Sequence, residues 1–487
     1  MQTSKQNVIK SLIKIISLLM LIVSSTFIIP IIVALIYKEV GCVKAFLVPM
    51  AVTWVLSIFF LILFRKTKIS FSIRANFAIT ACCWIFSSLL GAFPLFLSGF
   101  FASFTDAFFE SVSAFTTTGA TILSDVEVLP YSINLWRCQM HWLGGMGIVA
   151  LTVALLPLLG VGGFQLIKAE TTGPEKSKMT AKITMTAKIL WFIYLGFTVL
   201  EFICLLIAGM SVVDALCCSF STLGTGGFAT KNASIGSYNS VAIEWIICIF
   251  MILASINFSL YFYLLTGKVR DFFRNTEFKA HIGILVTSII LITIFILPQV
   301  GNFQTAFRLA SFQSASIMST TGFSTFDYEQ WCPAAQLVLF FLLFIGGSSG
   351  STAGGIKVIR WVILGKQMHN EVKRILHPHG VFRVRLNGEV GRKDVIFNVA
   401  AFLFLYFMLV VVTAFVSAIS GVDILTSITA ALTTVGNVGP GFGLIGPTEN
   451  MGFFADGVKW WFCFAMIAGR LELYTMLLFL FPDYWKK

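Results

Sequence analysis

The sequence predicts an all-α polytopic membrane protein: an N-terminal helical hairpin, then four pseudo-repeats of helix, short re-entrant segment and helix, about ten spans in all. Three observations predict it. Of 487 residues 57% are hydrophobic and only 11% are charged, with a mean hydropathy of +0.90, a composition that cannot clothe a water-facing surface. A short glycine motif recurs four times, as TTTGAT at Thr116–Thr121, TGGFAT at Thr225–Thr230, STTGFST at Ser319–Thr325 and TTVGNVG at Thr433–Gly439. Basic residues crowd the loops on one side of the predicted spans, and acidic residues the loops on the other.

Taken in order, Lys5, Lys10 and Lys14 precede an apolar run long enough to span, with no small-residue cleavage site, so a retained helix is expected. Apolar runs near 15–37 and 45–64 form a hairpin closed by Arg65, Lys66, Lys68 and Arg74. The first repeat then places a segment at 104–115 before its glycine and a return helix at 133–157 after it. The second has its outward helix near 188–209, its short segment at 212–223 and its return near 241–266. The third uses 281–299, 303–318 and 334–363, and the fourth 395–419, 423–433 and 455–481. Boundaries follow at 1–68 for the hairpin and at 69–165, 166–275, 276–390 and 391–487 for the repeats. The short segments are too short to cross a hydrocarbon core of ~30 Å, so each enters and leaves by one face. Successive motif glycines lie 108, 95 and 114 residues apart, too far for solenoid repeats and right for two crossings plus a re-entrant loop.

Charge supports this arrangement independently. Lys168, Lys176, Lys178 and Lys182 follow the first repeat, Lys268, Arg270, Arg274 and Lys279 the second, and Lys366, Lys373, Arg374, Arg383, Arg385, Arg392 and Lys393 the third, with Lys486 and Lys487 at the end. These loops and both termini are expected on the cytoplasmic side. The motif side carries Asp106, Glu110, Asp125, Glu127, Asp327, Glu329, Glu449 and Asp456, with Arg137, Lys231, Arg308 and Lys459 its few bases. That excess of acid would concentrate cations at an outer mouth. The formal charge of +12 does not imply nucleic acid, since no soluble basic module exists to carry it. The ten cysteines lie mostly in apolar runs without CxxC spacing and read as reduced core residues.

A glycine beside threonine inside a membrane lets the backbone turn carbonyl oxygens toward an axis, where four of them replace a cation's water shell. The expected contacts are the backbones of Thr117, Thr118 and Gly119; Thr225, Gly226 and Gly227; Thr320, Thr321 and Gly322; and Thr434, Val435 and Gly436, around a central cation pore. Helical segments ending there would add partial negative charge. In the third return helix, GGSSGSTAGG interrupts an apolar run. Its Gly346, Gly347, Gly350, Gly354 and Gly355 read either as a broken helix gating the pore or as a cytoplasmic linker. Arg470 lies midway along the fourth return helix, where an unpaired guanidinium costs several kcal/mol. It reads as an electrostatic barrier paired with carbonyls or Glu472, or as a packing residue in a buried pair. His141, His377 and His379 lack neighbouring ligands and read as packing or loop residues. No nucleophilic triad and no GxxxxGK[ST] loop is present, so no enzyme and no resident cofactor is expected.

The TTTGAT motif after FFESVSAF, the stretch HWLGGMGIVALTVALLP, the break GGSSGSTAGGIK, TTVGNVGPG and GRLELYT together resemble the Trk/Ktr/HKT superfamily of potassium transporters, closest to the bacterial TrkH/TrkG type. The resemblance covers nearly the whole chain. It implies four covalently linked units imitating a tetrameric potassium channel, filter glycines at Gly119, Gly227, Gly322 and Gly436, an intramembrane loop at Gly346–Gly355 and a gating Arg470. It also implies K⁺ as the transported ion, a homodimer in the bacterial cytoplasmic membrane, and a cytosolic TrkA-type partner subunit that binds the nucleotide. Gly119, where plant sodium-selective relatives carry serine, resembles the potassium-permeable kind. The second motif departs from the TTG pattern, with Gly226 where the first and third have Thr118 and Thr321. Two transport readings stay open: uptake through a gated, channel-like pore, and K⁺/H⁺ or K⁺/Na⁺ symport by alternating access.

Overall fold

Stretches of apolar sequence longer than about 20 residues can satisfy every backbone group as helix and still face lipid, and among the described residues six helices are long and apolar enough to cross and contribute to the outer wall: 9–36, 40–63, 77–97, 187–207, 276–300 and 395–418, the third of them mostly buried. A computed structural model describes residues 5–67, 73–145, 147, 183–390 and 393–477. The continuation of the first return helix to 157, the basic residues Lys68, Lys168, Lys176, Lys178, Lys182, Arg392, Lys486 and Lys487, and the end of the fourth return helix lie outside the described residues.

Helices α1 (Lys5–Ser25) and α2 (Ile28–Ile36) make the first crossing and α3 (Val40–Leu63) the next. The first repeat is α4 (Ile73–Leu97), pore helix α5 (Phe104–Phe115) and return helix α6 (Tyr131–Gly145). The second is α7 (Ile183–Ile207), pore helix α8 (Val212–Gly224) and a return made of α9 (Val241–Ser255) and α10 (Phe258–Leu265), followed by short α11 (Val269–Arg274). The third is α12 (Thr276–Val300), pore helix α13 (Phe303–Met318), α14 (Pro333–Leu342) and α15 (Val358–Leu376). A small antiparallel hairpin of β1 (Arg385–Leu386) and β2 (Glu389–Val390) leads to the fourth. That repeat is α16 (Lys393–Ala418), pore helix α17 (Ile424–Gly436), α18 (Asp456–Arg470) and α19 (Tyr474–Leu477). Phe192, Phe397 and Phe415 stand exposed on the outer wall, as lipid-facing residues should.

The pore helices have 12, 13, 16 and 13 residues, which at 1.5 Å per residue reach roughly 18–24 Å, short of a crossing. Each begins on a side chain that satisfies an orphan N–H: Ser103, Ser211, Asn302 and Asp423 accept from the backbone of Asp106, Asp214, Gln304 and Thr426. Most residues of these helices are buried, so the four occupy the centre.

The return segments are where the structure departs from expectation. The second, expected unbroken over 241–266, bends by 96° between α9 and α10. Asn257 caps α10 by accepting from Ser259 N at 2.8 Å, which favours a fresh start there over continuation. The carbonyls freed at the break are taken up by the third repeat, Ser255 O by Ser348 N at 2.8 Å and Ala254 O by the Thr352 hydroxyl at 3.1 Å. Non-helical backbone survives at that depth because protein groups satisfy it. The fourth return helix, expected to run on to 481, stops at Arg470, where Glu472 (φ 54°) and Leu473 (φ 58°) adopt left-handed conformations that strain a side-chain-bearing residue.

Candidate functional site

The four pore helices end in one repeated turn. Residues 118, 226, 321 and 438 each donate a backbone hydrogen bond to the carbonyl five positions back, at Ser113, Ser221, Ser316 and Thr433, over 2.8, 2.9, 2.9 and 3.0 Å. The residue before each donor is left-handed in all four: Thr117 (φ 55°), Thr225 (55°), Thr320 (56°) and Asn437 (54°). The residue after each donor is a left-handed glycine: Gly119 (φ 78°), Gly227 (78°), Gly322 (83°) and Gly439 (96°). These agreements set the register of four equivalent strands.

The strands close on one another. A side chain at Gly119 would meet the carbonyl oxygen of Gly226, one at Gly227 that of Thr321, one at Gly322 that of Val438, and one at Gly439 that of Thr118. Each repeat thus sets a carbonyl beside the glycine of its neighbour, and the cycle returns to its start. Glycine is required here for two reasons, the positive φ and the absence of room for a methyl group. All four glycines line one cavity of about 120 Å³, which Ser124, Glu449 and Asn450 also line.

Of the residues expected at the site, Thr117, Thr118, Gly119, Thr225, Gly226, Gly227, Thr320, Thr321 and Gly322 are brought together in this ring. Thr434, Val435 and Gly436 are not. They form the last turn of α17, one turn before the strand, and Asn437, Val438 and Gly439 take the ring positions instead. The carbonyls of Val435 and Gly436 face Gly469 and Gly354 beneath the ring. Two glycines three residues apart made the register ambiguous in sequence, and Asn437 was the overlooked signal, since asparagine tolerates the left-handed conformation better than most residues. Asn437 also ties strand four to strand one, its amide donating to the Thr118 hydroxyl at 2.9 Å and to Met466 O at 3.0 Å.

The GGSSGSTAGG stretch lies inside the protein directly below the ring. Ser348, Ser349, Thr352 and Ala353 are buried, and Gly354 N donates to the Thr320 hydroxyl at 2.7 Å. Sequence reasoning missed its anchor, Glu277. That buried carboxylate accepts from Ser349 N at 2.6 Å and from Ile359 N, in the first turn of α15, at 3.2 Å. Arg470 reaches the same layer, donating to Thr352 O at 2.8 Å and to Gly144 O and Gly145 O at 3.0 and 3.2 Å. The guanidinium of the fourth repeat therefore bridges the loop of the third and the end of α6 in the first. Glu472, an expected partner of Arg470, pairs with Arg360 at 2.7 Å instead.

On the side that bears the motif loops all four expected bases are engaged. Arg137 pairs with Glu110 and Lys459 with Asp106, each at 2.6 Å and buried, while Lys231 pairs with Glu127 and Arg308 with Glu244 at 3.2 and 2.9 Å. Asp106 and Glu110 are therefore structural pairs rather than mouth charges. Asp125, Asp327, Glu449 and Asp456 reach water and make no ion pair among the described residues, while half-buried Glu329 accepts from Gly443 N; Asn232 and backbone N–H groups hold the Asp125 carboxyl below the usual range.

A family model described as "TrkH: Cation transport protein" matches residues 43–487. The chain belongs to the TrkH family. This TrkH-family chain is 37% identical over 484 residues to "Trk system potassium uptake protein TrkH" of Escherichia coli strain K12, covering 98% of this chain and 99% of that one. It is 34% identical over 468 residues to the same organism's "Trk system potassium uptake protein TrkG", with 94% of each chain covered. Its fold matches "Crystal Structure of the Potassium Transporter TrkH from Vibrio parahaemolyticus" with a TM-score of 0.86 at 35% identity, covering 98% of this chain and 100% of that one. The protein is accordingly a multi-pass membrane protein of a cation transport family.

Proposed function

We propose that this TrkH-family chain takes up potassium ions through a gated, channel-like pore whose selectivity filter is the ring of Thr117–Gly119, Thr225–Gly227, Thr320–Gly322 and Asn437–Gly439. The observation that carries the reading is the cyclic closure, each strand's carbonyl standing beside its neighbour's glycine around a shared cavity. Carbonyls held in that way replace a cation's hydration shell, and the four pore-helix C-termini add partial negative charge. The printed names of the relatives, potassium uptake proteins, support potassium as the ion.

Gly346, Gly347, Gly350, Gly354 and Gly355, with Arg470, form the gate in this reading. The loop bonds to Thr320 of strand three and its Thr352 carbonyl accepts from Arg470, so moving the loop and withdrawing the guanidinium open the path together. Exposed Met368, Val372, Ile375 and Leu376 on α15, among Lys366, Lys373 and Arg374, support an assembly on that face. We assign it to a homodimer carrying a cytosolic TrkA-type subunit that binds the nucleotide. The basic loops support cytoplasmic termini in a bacterial inner membrane.

Rubidium or potassium uptake by the purified protein in liposomes tests the reading. Uptake that follows the potassium gradient alone, unaffected by an imposed proton or sodium gradient, is expected. Uptake that requires either gradient would replace the pore with symport, and no uptake at all would remove both.

A further inference from the structure

Gly226 stands apart in the ring, because its counterparts Thr118, Thr321 and Val438 all carry side chains. Its φ lies outside the left-handed region that favours glycine, so its backbone would accept a side chain. Space would not. A Cβ at this position falls on the imidazole of His141, which α6 of the first repeat inserts there. His141 is fully buried, its Nδ1 lies 2.7 Å from Ala114 O, and Phe228 N donates to its Nε2 at 3.3 Å. A carbonyl only accepts and a backbone N–H only donates, so these partners select the neutral tautomer with the proton on Nδ1. The ring ties the last turn of α5, just before strand one, to the residue that follows Gly227 in strand two.

His141 is not alone on that face. Arg137, one helical turn earlier, places its guanidinium 4.2 Å from the Phe228 ring while pairing with Glu110, and Glu110 in turn accepts from Thr121 and Ile122 just beyond strand one. The Cys138 thiol donates to Phe228 O at 3.5 Å. Residues at 137, 138 and 141 share one stripe of a helix, and this stripe lies along the seam between the first two strands.

We propose that His141 is a selectivity-determining positioning residue: its imidazole stands in for the side chain that Gly226 lacks and sets the spacing of strands one and two. The inference rests on the reading of the ring as an ion filter. Because strand two is held from behind by a side chain of the first repeat, the width of the ring there is set across repeats, whereas strands one and three brace themselves through hydroxyl pairs at 116/118 and 319/321, 2.8 and 2.6 Å apart.

The test is the rubidium-to-sodium uptake ratio of full-length protein in liposomes, corrected for the amount incorporated. His141→Ala is expected to lower that ratio about tenfold, the loss of one buried hydrogen-bonded brace. Gly226→Thr alone collides with the imidazole and lowers it likewise, while the double variant His141→Ala/Gly226→Thr recovers part of the ratio because the new side chain fills the emptied space. A wild-type ratio in His141→Ala overturns the proposal, and so does a double variant no better than the product of the singles. If His141→Ala fails to assemble, Gly226→Ala is read alone, and an unchanged ratio there overturns it too. Wild-type protein that does not prefer rubidium would instead sink the filter reading itself.

Discussion

A methyl group at Gly439 has nowhere to go: it would stand against Thr118 O with its backbone at φ 96°, whereas at Gly436 the nearest obstacle is the Tyr406 hydroxyl at 3.2 Å. Gly439→Ala is therefore expected to abolish rubidium preference, since the left-handed strain of about 1–2 kcal/mol adds to displacement of a ring carbonyl. Gly436→Ala should retain most transport. Uptake assays on the pair decide the register of strand four, and equal damage in both would contradict the geometry. Gly119→Ser and Gly322→Ser, which push on Gly226 O and Val438 O, are expected to lose selectivity at unchanged membrane abundance. Three of the four strands were legible in sequence because a threonine and a glycine sit at a fixed offset in each. The fourth was misread by three residues because its left-handed position is held by Asn437.

The breaks in the return helices act as a unit, since α12 holds two of them. Glu277 anchors the loop of the third repeat, and one turn along the helix His141's counterpart in chemistry, His281, meets the Ser255 hydroxyl at 3.0 Å. Replacing Glu277 by Leu strands two buried N–H groups, which should lower stability by about 2–3 kcal/mol in thermal unfolding and raise basal rubidium leak. Arg470→Ala should raise flux because the carbonyls of Thr352, Gly144 and Gly145 lose their shared cation. Arg470→Lys, which keeps the charge, should largely preserve the wild-type rate; collapse of folding in both would assign Arg470 to packing. The break at GGSSGSTAGG was visible in sequence as a run of residues that favour loops. The bend at Ile256–Asn257 was not, because a single asparagine in an apolar run is a weak breaker until a neighbour offers to bond the carbonyls it frees.

Ion pairs join the repeats around the ring. Asp106–Lys459 links the first to the fourth and Glu244–Arg308 the second to the third, while Glu110–Arg137 sits wholly buried behind strand one. Arg137→Gln leaves a buried carboxylate uncompensated and should cost about 3–5 kcal/mol in thermal unfolding, against far less for breaking the exposed Lys231–Glu127 pair. At the mouth beside the motif loops, neutralising Asp125, Asp327 and Glu449 together should slow uptake at low ionic strength, an effect that fades in molar salt where the Debye length falls to about 3 Å. What the sequence by itself determined was the membrane, the four repeats and the glycine turns, because hydropathy and backbone permissiveness are local properties written in short stretches. Only the tertiary structure decided which glycine of the fourth repeat enters the ring, which acids face water and which are locked in pairs, and that His141 occupies the space of a missing side chain. Those outcomes depend on contacts between residues tens to hundreds of positions apart, from 27 for Glu110–Arg137 to 353 for Asp106–Lys459, where volume and hydrogen-bond partners are set by elements remote in sequence.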